Sequence, residues 1–188
     1  SGLTDGSFSE AQFFAPQGMA LDAENQILYI ADTENHALRR IDFKRQIVET
    51  VAGTGEQSRY IYPHGGSSLE TLLNSPWDLV KVGNRLFIAM AGSHQIWEMQ
   101  LETGTIQTYA GTGAEACVDG SLIEAAFAQP SAIATDGQEL YIADSEGSSI
   151  RGVTLAAQPQ VRTVCGSGDL FGFGDVDGTG SEVRLQHC

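Results

Sequence analysis

Apolar residues lie along this chain in short runs separated by polar turns, and the arrangement recurs three times. The clearest copy is segment 28–42, in which the apolar run 28–31 is followed by a polar turn and a second β-rich run. It returns without a gap at 86–99 and at 140–153. Two such runs around a polar turn predict a β-hairpin, and repeats of this length are typical of solenoids, propellers and arrays.

The repeat extends beyond the hairpin on both sides. Each hairpin is preceded by an apolar run that opens with a proline, and these prolines are Pro16, Pro76 and Pro130. Each is followed by a fourth run that ends in a glycine pair, at 53–55, 111–113 and 166–168. Six residues before each proline stands a glutamate, and the series is Glu10, Glu70 and Glu124. Each unit is therefore predicted to be a loop followed by four strands.

The fold class predicted from these units is all-β. The runs are apolar on both faces, as in 28–31, so each strand is expected to be covered on both sides. Small four-stranded sheets that cover one another are the blades of a β-propeller. The predicted blades span about 5–55, 65–113 and 119–168, and residues 175–188 repeat the start of a fourth unit.

Three blades do not close a ring, because propellers typically have four to eight. An open stack leaves an apolar sheet face exposed at each end. Either the chain is a piece of a longer propeller, or two copies join around a two-fold axis as a six-bladed ring. We favour the homodimer for the isolated chain.

Composition narrows the classes of partner. The 188 residues carry a net charge of −14 at pH 7, which disfavours a nucleic-acid backbone as partner. No apolar run is long enough to span a membrane as a helix. Cys117, Cys165 and Cys188 form neither a disulfide framework nor a metal-ligand spacing. We expect a cytoplasmic protein without a cofactor.

The hairpin that holds Asn35, His36 and Leu38 resembles an NHL repeat. Three stretches resemble the thioredoxin-linked branch of that family, namely 31–36, 88–97 and 173–178 together with 185–187. This resemblance implies a thioredoxin-like domain followed by a six-bladed propeller, of which the chain would be about half. The sequence contains no Cys-x-x-Cys, so thiol chemistry would lie outside it. Cys188 stands where the family pattern has proline.

Several recurring residues suggest chemistry, and each has a structural alternative. The recurring turn residues are Asp32, His36, His94 and Asp144. The histidines suggest metal ligands, but equivalent positions in neighbouring blades lie apart, so we expect them to bond nearby backbone. We expect the aspartates to accept hydrogen bonds from the turn amides that follow them. The glutamates are expected to tie the loop between blades, and a carboxylate ring that binds a cation is the alternative.

Two further groups are candidates for binding. The first shares one register in the third strand and consists of Arg39, Trp97 and Arg151. These side chains either pack between blades or form an exposed anchor for a partner. The second begins the innermost strands, near the channel mouth, and consists of Gln17, Trp77, Asp78 and Ser131.

The function predicted from these features is a non-catalytic scaffold for protein binding. Its acidic surface would favour a basic or neutral partner. The first alternative is a propeller enzyme, a metal-dependent hydrolase or lyase, for which Asp78 is the one good inner-strand carboxylate. The second is binding of a sugar or another small ligand in the channel. No Ser/His/Asp or Cys/His set follows from the spacing, and no phosphate-binding loop occurs.

Overall fold

Three antiparallel sheets follow one another along the chain, and each is built from one sequence repeat. The structure is a computed structural model that describes residues 1–60 and 65–188. The predicted all-β propeller architecture is confirmed, and each sheet is one blade.

The strands are as follows. Blade one contains β1 Gly6–Ser7, β2 Pro16–Asp22, β3 Ile27–Asp32, β4 Ala37–Asp42 and β5 Ile47–Ala52. Blade two contains β6 Gly66–Ser67, β7 Pro76–Val82, β8 Arg85–Met90, β9 Gln95–Gln100 and β10 Thr105–Ala110. Blade three contains β11 Gly120–Ser121, β12 Pro130–Thr135, β13 Glu139–Asp144, β14 Ser149–Thr154 and β15 Gln160–Gly166. Short 3₁₀ helices span Thr33–Asn35, Ala91–Ser93 and Gly180–Glu182.

Each blade has one strand more than the sequence predicted. The strand order in blade one is β1-β5-β4-β3-β2, and the other two blades repeat it. The segment interpreted as a loop therefore contributes a two-residue strand, which pairs with the outermost long strand of its own blade. Gly6 pairs with Val48 and Ser7 with Ile47. A pairing this short leaves almost no alternation of apolar and polar residues, so the pattern could not reveal it.

The first glycine of each exit pair has a left-handed backbone, with φ of 89° at Gly53, 103° at Gly111 and 99° at Gly166. A Cβ at Gly53 would also collide with the carbonyl oxygen of His36. Glycine is required there because it alone combines a positive φ with such close approach of another backbone. The exit glycines thus let the chain leave the outer strand and start the next blade.

The hydrophobic core lies between the blades. One face of each sheet, here called the back face, packs against the following blade and carries an aromatic residue, an alanine and a branched aliphatic residue. In blade one these are Tyr29, Ala31 and Leu38, and in blade two they are Phe87, Ala89 and Ile96. The opposite face, here called the front face, packs against the preceding blade through Leu79 and Ile88 in blade two and Ile133 and Ile142 in blade three.

Each blade is introduced by a lead-in segment that contains its short first strand and ends at its proline. The lead-in segments are 5–16, 65–76 and 119–130, and residues 177–188 are their equivalent after blade three. Thr33 Oγ1 of blade one donates to the carbonyl oxygen of Pro76, 2.8 Å away, so the second lead-in is tied to the blade before it. Ser145 Oγ makes the same bond, 2.6 Å long, to the carbonyl oxygen of Cys188.

Candidate binding faces and inner-strand positions

The front face of blade one is uncovered along its inner strand, whereas Ile30 and Arg39 further out on the same face are buried. Met19 occupies the register of Leu79 and Ile133, since each pairs with an isoleucine of the next strand. Leu79 is 2% exposed and Ile133 is 6% exposed, whereas Met19 is 62% exposed. Leu21 on the same face is 61% exposed. The front face of blade one is therefore an inter-blade surface without its neighbour.

The back face of blade three is uncovered as well. It carries Tyr141, Ala143 and Ile150, the same combination of residue types as the buried back faces of the first two blades. These three side chains are half-buried, while their equivalents in the first two blades are buried. They line a shallow cavity of about 370 Å³, together with Ala134 and Asp78. The three repeats predict an apolar face at each end of the stack, and Met19, Tyr141, Ala143 and Ile150 are residues of these faces.

The inner strands of the three blades lie side by side, β2 against β7 and β7 against β12. Their register with the next strand is interrupted by a bulge after Pro16, Pro76 and Pro130. The candidate inner-strand residues fall in or beside these bulges, which often re-aim side chains near binding sites. Gln17 is exposed, and Trp77 and Ser131 are partly buried. Ser131 Oγ donates to the carbonyl oxygens of Cys188 and Ala143.

Both carboxylate oxygens of Asp78 accept hydrogen bonds from backbone amides. Its Oδ2 accepts a hydrogen bond of 2.9 Å from the amide of Ile133 in blade three, and its Oδ1 accepts one of 2.9 Å from the amide of Leu79. Burial raises the pKa of this carboxyl, and the two amide bonds oppose the shift. A Cβ at Gly18 would collide with Asp78. Asp78 thus links the inner strand of blade two to the inner strand of blade three. Blade one packs closely on Asp78 at Gly18.

The third-strand residues Arg39, Trp97 and Arg151 are fully buried, so their interpretation as an exposed anchor is wrong. The Arg39 guanidinium contacts Asp32 at 2.9 Å and Asp5 at 2.8 Å. It also donates to the backbone carbonyl oxygens of Gln12 in the lead-in segment and of Thr4 just before it. Arg151 bonds Asp144 and Asp119 in the same way. These arginines fasten the lead-in segments of blades one and three to the front faces of their own blades.

Blade two replaces this whole charged network by an apolar one. Trp97 stands for the arginine, Met90 for the inner aspartate and Gly65 for the outer one. Trp97 Nε1 donates to Gln95 Oε1 at 3.0 Å, which leaves the indole nitrogen satisfied. All members change together because a lone charge from this set, left buried without its partner, is strongly unfavourable.

The turn aspartates accept hydrogen bonds from a different segment than predicted. Asp32 Oδ1 accepts from the amide of Phe14, at 2.8 Å, and Asp144 Oδ1 accepts from the amide of Ala128, at 2.7 Å. Both backbone donors belong to the lead-in segment, whereas the turn that follows donates to Asp32 Oδ2 through the side-chain amide of Asn35, at 2.8 Å. Burial raises the pKa of Asp144 to about 6, although the Arg151 charge and the Ala128 amide act in the opposite direction.

The turn histidines differ from each other. His36 Nδ1 accepts a hydrogen bond of 3.0 Å from the amide of Ser75, so it bonds backbone as predicted, but in the next blade. Burial lowers the pKa of His36. The Nδ1 atom of His94 is buried and has no partner among residues 1–60 and 65–188. Both histidines adopt the left-handed backbone that ends a short 3₁₀ helix.

The glutamate series acts locally. Glu10 Oε2 accepts hydrogen bonds from the hydroxyl and the amide of Ser7, and Glu124 Oε2 accepts one of 2.6 Å from the Ser121 hydroxyl. These contacts tie the turn that follows the short strand in blades one and three, as predicted. Within the described ranges, no three His, Cys, Asp or Glu side chains converge in a way that could hold a metal ion.

The three cysteines are all unpaired and partly buried. Cys117 Sγ lies 3.6 Å from Asp144 Oδ2, and burial raises the pKa of this thiol to about 11. Burial also raises the pKa of Cys188, whose Sγ lies 3.5 Å from the carbonyl oxygen of Ser149. Both thiols are therefore weakly nucleophilic at neutral pH.

Comparison with known proteins places this geometry in a family. Over nearly its whole length the chain is similar to Protein SUPPRESSOR OF QUENCHING 1, chloroplastic, of Arabidopsis thaliana, with 47% identity over 99% of this chain and 18% of that protein. It is also similar to NHL repeat-containing protein 2 of Gallus gallus, with 41% identity over 100% of this chain and 29% of that protein. The chain thus spans less than a third of either relative. No protein-family model matches it.

Solved structures share the fold. A structural genomics protein of unknown function from Bacteroides thetaiotaomicron superposes with a TM-score of 0.70 at 21% identity, over 92% of this chain and 40% of that one. An auxiliary nutrient binding protein from Bacteroides ovatus superposes with a TM-score of 0.65 at 19% identity, over 94% of this chain and 42% of that one. At these identities the likeness concerns architecture alone. The sequence relatives and the three antiparallel blades together identify the chain as an NHL-repeat β-propeller segment of the kind found in NHL repeat-containing protein 2.

Proposed function

We propose that this NHL-repeat segment is a non-catalytic scaffold for protein binding, and that its end faces are protein-contact surfaces, whether a further blade or a separate partner covers them. The observation that supports the proposal is the contrast between Met19, 62% exposed, and its buried equivalents Leu79 and Ile133. Exposed apolar patches of this kind mark surfaces of protein association. The partner would be basic or neutral outside the apolar contact, because the chain carries a net charge of −14.

The accessibility of these faces is tested by an apolar fluorescent dye of the anilinonaphthalene type, added to the folded chain at high dilution. Such dyes report exposed apolar surface. The M19E/L21E double variant should bind clearly less dye than the natural chain, because the front face of blade one becomes charged. The matched control is I123E, since Ile123 is 85% exposed but lies outside both end faces. Equal dye binding by all three proteins would contradict the proposal.

The alternative function that the sequence left open, a metal-dependent hydrolase or lyase, predicts that metal ions change the thermal stability of the chain. A resident divalent ion that binds only the folded state would raise the unfolding midpoint with concentration. We expect the midpoint to be the same with Ca²⁺, Zn²⁺ or EDTA, because the carboxylate of Asp78 is taken up by two backbone amides. A thermal-shift titration measures this directly. A midpoint that rises with one ion and returns with EDTA would favour the enzyme.

A further inference from the structure

A buried aspartate stands at the same position of the hairpin in blades one and three, and both side chains, Asp32 and Asp144, are fully buried. In blade one the carboxylate accepts three hydrogen bonds from nitrogen. They come from the Phe14 amide at 2.8 Å, the Asn35 side-chain amide at 2.8 Å and the Arg39 guanidinium at 2.9 Å. These donors compensate the hydration that a carboxylate loses on burial.

Blade three lacks the counterpart of the asparagine donor. Asp144 accepts hydrogen bonds from the Ala128 amide at 2.7 Å and from Arg151 at 3.2 Å, but Gly147 stands at the position of the asparagine. The thiol of Cys117 fills the free space, since a Cβ at Gly147 would collide with its Sγ. This Sγ lies 3.6 Å from Asp144 Oδ2, and a thiol is a weak donor. The charge of Asp144 is therefore less well compensated than that of its equivalent in blade one.

A neighbouring hydroxyl group adds no further donor. Ser149 pairs with Asp144 across the hairpin and is fully buried. Its Oγ has no hydrogen-bond partner within the described part of the chain. The carboxylate is thus left with two nitrogen donors and a thiol in a place that water does not reach.

The other titratable groups near this carboxyl come from several elements. Cys188 Sγ lies 3.9 Å from the carbonyl oxygen of Asp144, and burial raises the pKa of this thiol. Glu146, in the turn after Asp144, faces His187 at 3.9 Å. Blade two covers this side with the apolar back face described above, and the titratable side chain of its turn is His94.

We propose that Asp144 is a proton-binding site that holds the third lead-in segment more tightly to blade three in acid than at neutral pH. When this segment lies on the blade, the carboxyl group is buried, and when the segment lifts off, water reaches it. The closed arrangement therefore favours the neutral carboxyl group, whereas the open arrangement tolerates the charge. This inference goes beyond the proposed function and does not depend on it.

The direction of the effect follows from linkage. Burial raises the pKa of Asp144 from 3.8 to about 6, and the bonds from Arg151 and the Ala128 amide oppose this shift without cancelling it. A carboxyl group with a higher pKa in the closed arrangement binds its proton preferentially there. The closed arrangement therefore gains stability as the pH falls from 6 towards 3.8, and this gain is absent above pH 6.

Protonation leaves no buried charge without a partner. Arg151 contacts Asp119 at 2.8 Å, and it donates to the carbonyl oxygens of Ala126 and Val118. These three acceptors belong to the third lead-in segment or stand just before it. The arginine therefore continues to fasten this segment when Asp144 is neutral.

The experiment is amide hydrogen exchange of the full chain by NMR at pH 7 and pH 5. The Ala128 amide, bonded to Asp144, reports the third lead-in segment, and the Phe14 amide, bonded to Asp32, is the internal reference in the first. The ratio of their protection factors removes the effect of pH on the exchange chemistry itself. Opening at Ala128 relative to Phe14 should be about 10-fold rarer at pH 5 than at pH 7, from pKa values of about 6 closed and 3.8 open.

A swap variant transfers the blade-one arrangement to blade three. C117L/G147N places the leucine of Leu3 and the asparagine of Asn35 at their equivalent positions, and Gly147 has no positive φ that would exclude asparagine. The added amide donor should abolish the pH dependence of the ratio. H94S is the matched control, because it removes the histidine of the blade-two turn, and it should keep the full 10-fold change.

The outcomes decide as follows. A ratio that is equal at the two pH values in the natural chain, or one that shows more opening at Ala128 in acid, overturns the proposal. A pH dependence that disappears in H94S also overturns it, since the histidine would then be the titrating group. Carboxyl carbon shifts give a separate reading on the natural chain, in which Asp144 should titrate near pH 6. A midpoint near 3.8 for Asp144 would contradict the proposal even if the swap variant does not fold.

Discussion

At the scale of single residues, His36 shows how a turn side chain can join two blades. Its Nδ1 accepts the Ser75 amide, and this requires the neutral imidazole, since a protonated ring has no free lone pair. Burial lowers its pKa below the value of 6.5 that the unfolded chain would have. The unfolded state therefore binds a proton first on acidification.

The first prediction concerns this pH dependence. The contribution of His36 to stability is complete above pH 6.5 and is lost as the pH falls below it towards the folded pKa. H36S copies the residue of blade three at this position, Ser148, which also has a positive φ. Urea unfolding between pH 8 and pH 5 should show a smaller loss of stability in H36S than in the natural chain. Parallel pH profiles would contradict the assignment.

At the same scale, the sequence predicted which turn residues form hydrogen bonds to backbone better than it predicted the partners of those bonds. Asp32, Asp144 and His36 recur in the repeat and were expected to bond backbone, which they do. The donors belong to the lead-in segment or to the next blade, many residues away along the chain. Periodicity identifies equivalent positions, but it contains no information on which distant amide lies within hydrogen-bonding distance.

At the scale of the element, the same place on the third strand holds a buried ion-pair network in blades one and three and an apolar cluster in blade two. Arg39 with Asp32 and Arg151 with Asp144 are fully buried ion pairs. A buried pair is tolerated only when both partners are present and bonded, and an apolar set of similar size is an equivalent solution. Blade two contains such an apolar set, which includes Trp97 and Met90.

The second prediction follows from this equivalence. D32M removes the buried partner of Arg39 and leaves it only the half-exposed Asp5, and R39W leaves the buried Asp32 carboxylate without its cation, so each should lower the free energy of unfolding by about 3–5 kcal/mol. The double variant should lose less than the sum of the two, by about 2 kcal/mol, because neither buried charge remains and Asp5 is half exposed to solvent. Urea unfolding of the four proteins measures the coupling, and D144M with R151W repeats it in blade three. Additive losses in both blades would contradict the network.

At the scale of the whole molecule, stability comes from the contacts between blades, so position in the stack decides what a substitution does. Ile88 on the front face of blade two is fully buried between blades, whereas Leu21 on the front face of blade one is largely exposed. Both are aliphatic strand residues on the same kind of face. They differ in whether a preceding blade is present.

The third prediction uses this pair. I88D should unfold or aggregate the chain, because the carboxylate would be buried between blades without a partner. L21D should remain folded and soluble, because its side chain faces solvent in the single chain. Circular dichroism and the soluble yield distinguish the two. A soluble, folded I88D would contradict the assignment of the front face.

The location of the protein stays a prediction. None of the helices in the described part of the chain has the length and hydropathy to cross a membrane. The name of the Arabidopsis thaliana relative places that protein in the chloroplast. Neither observation tests the cytoplasmic location that the sequence predicts for this chain.

The sequence by itself determined the repeat, the four long strands of each blade and the register that makes Met19, Leu79 and Ile133 equivalent, because these depend on local alternation and spacing. Only the tertiary structure decided that Met19 is exposed while its two equivalents are buried. It also decided that the third-strand arginines are buried ion-pair partners and that residues 177–188 lie on blade three. Burial and hydrogen bonding depend on which sheet lies opposite, and that neighbour is remote in the chain.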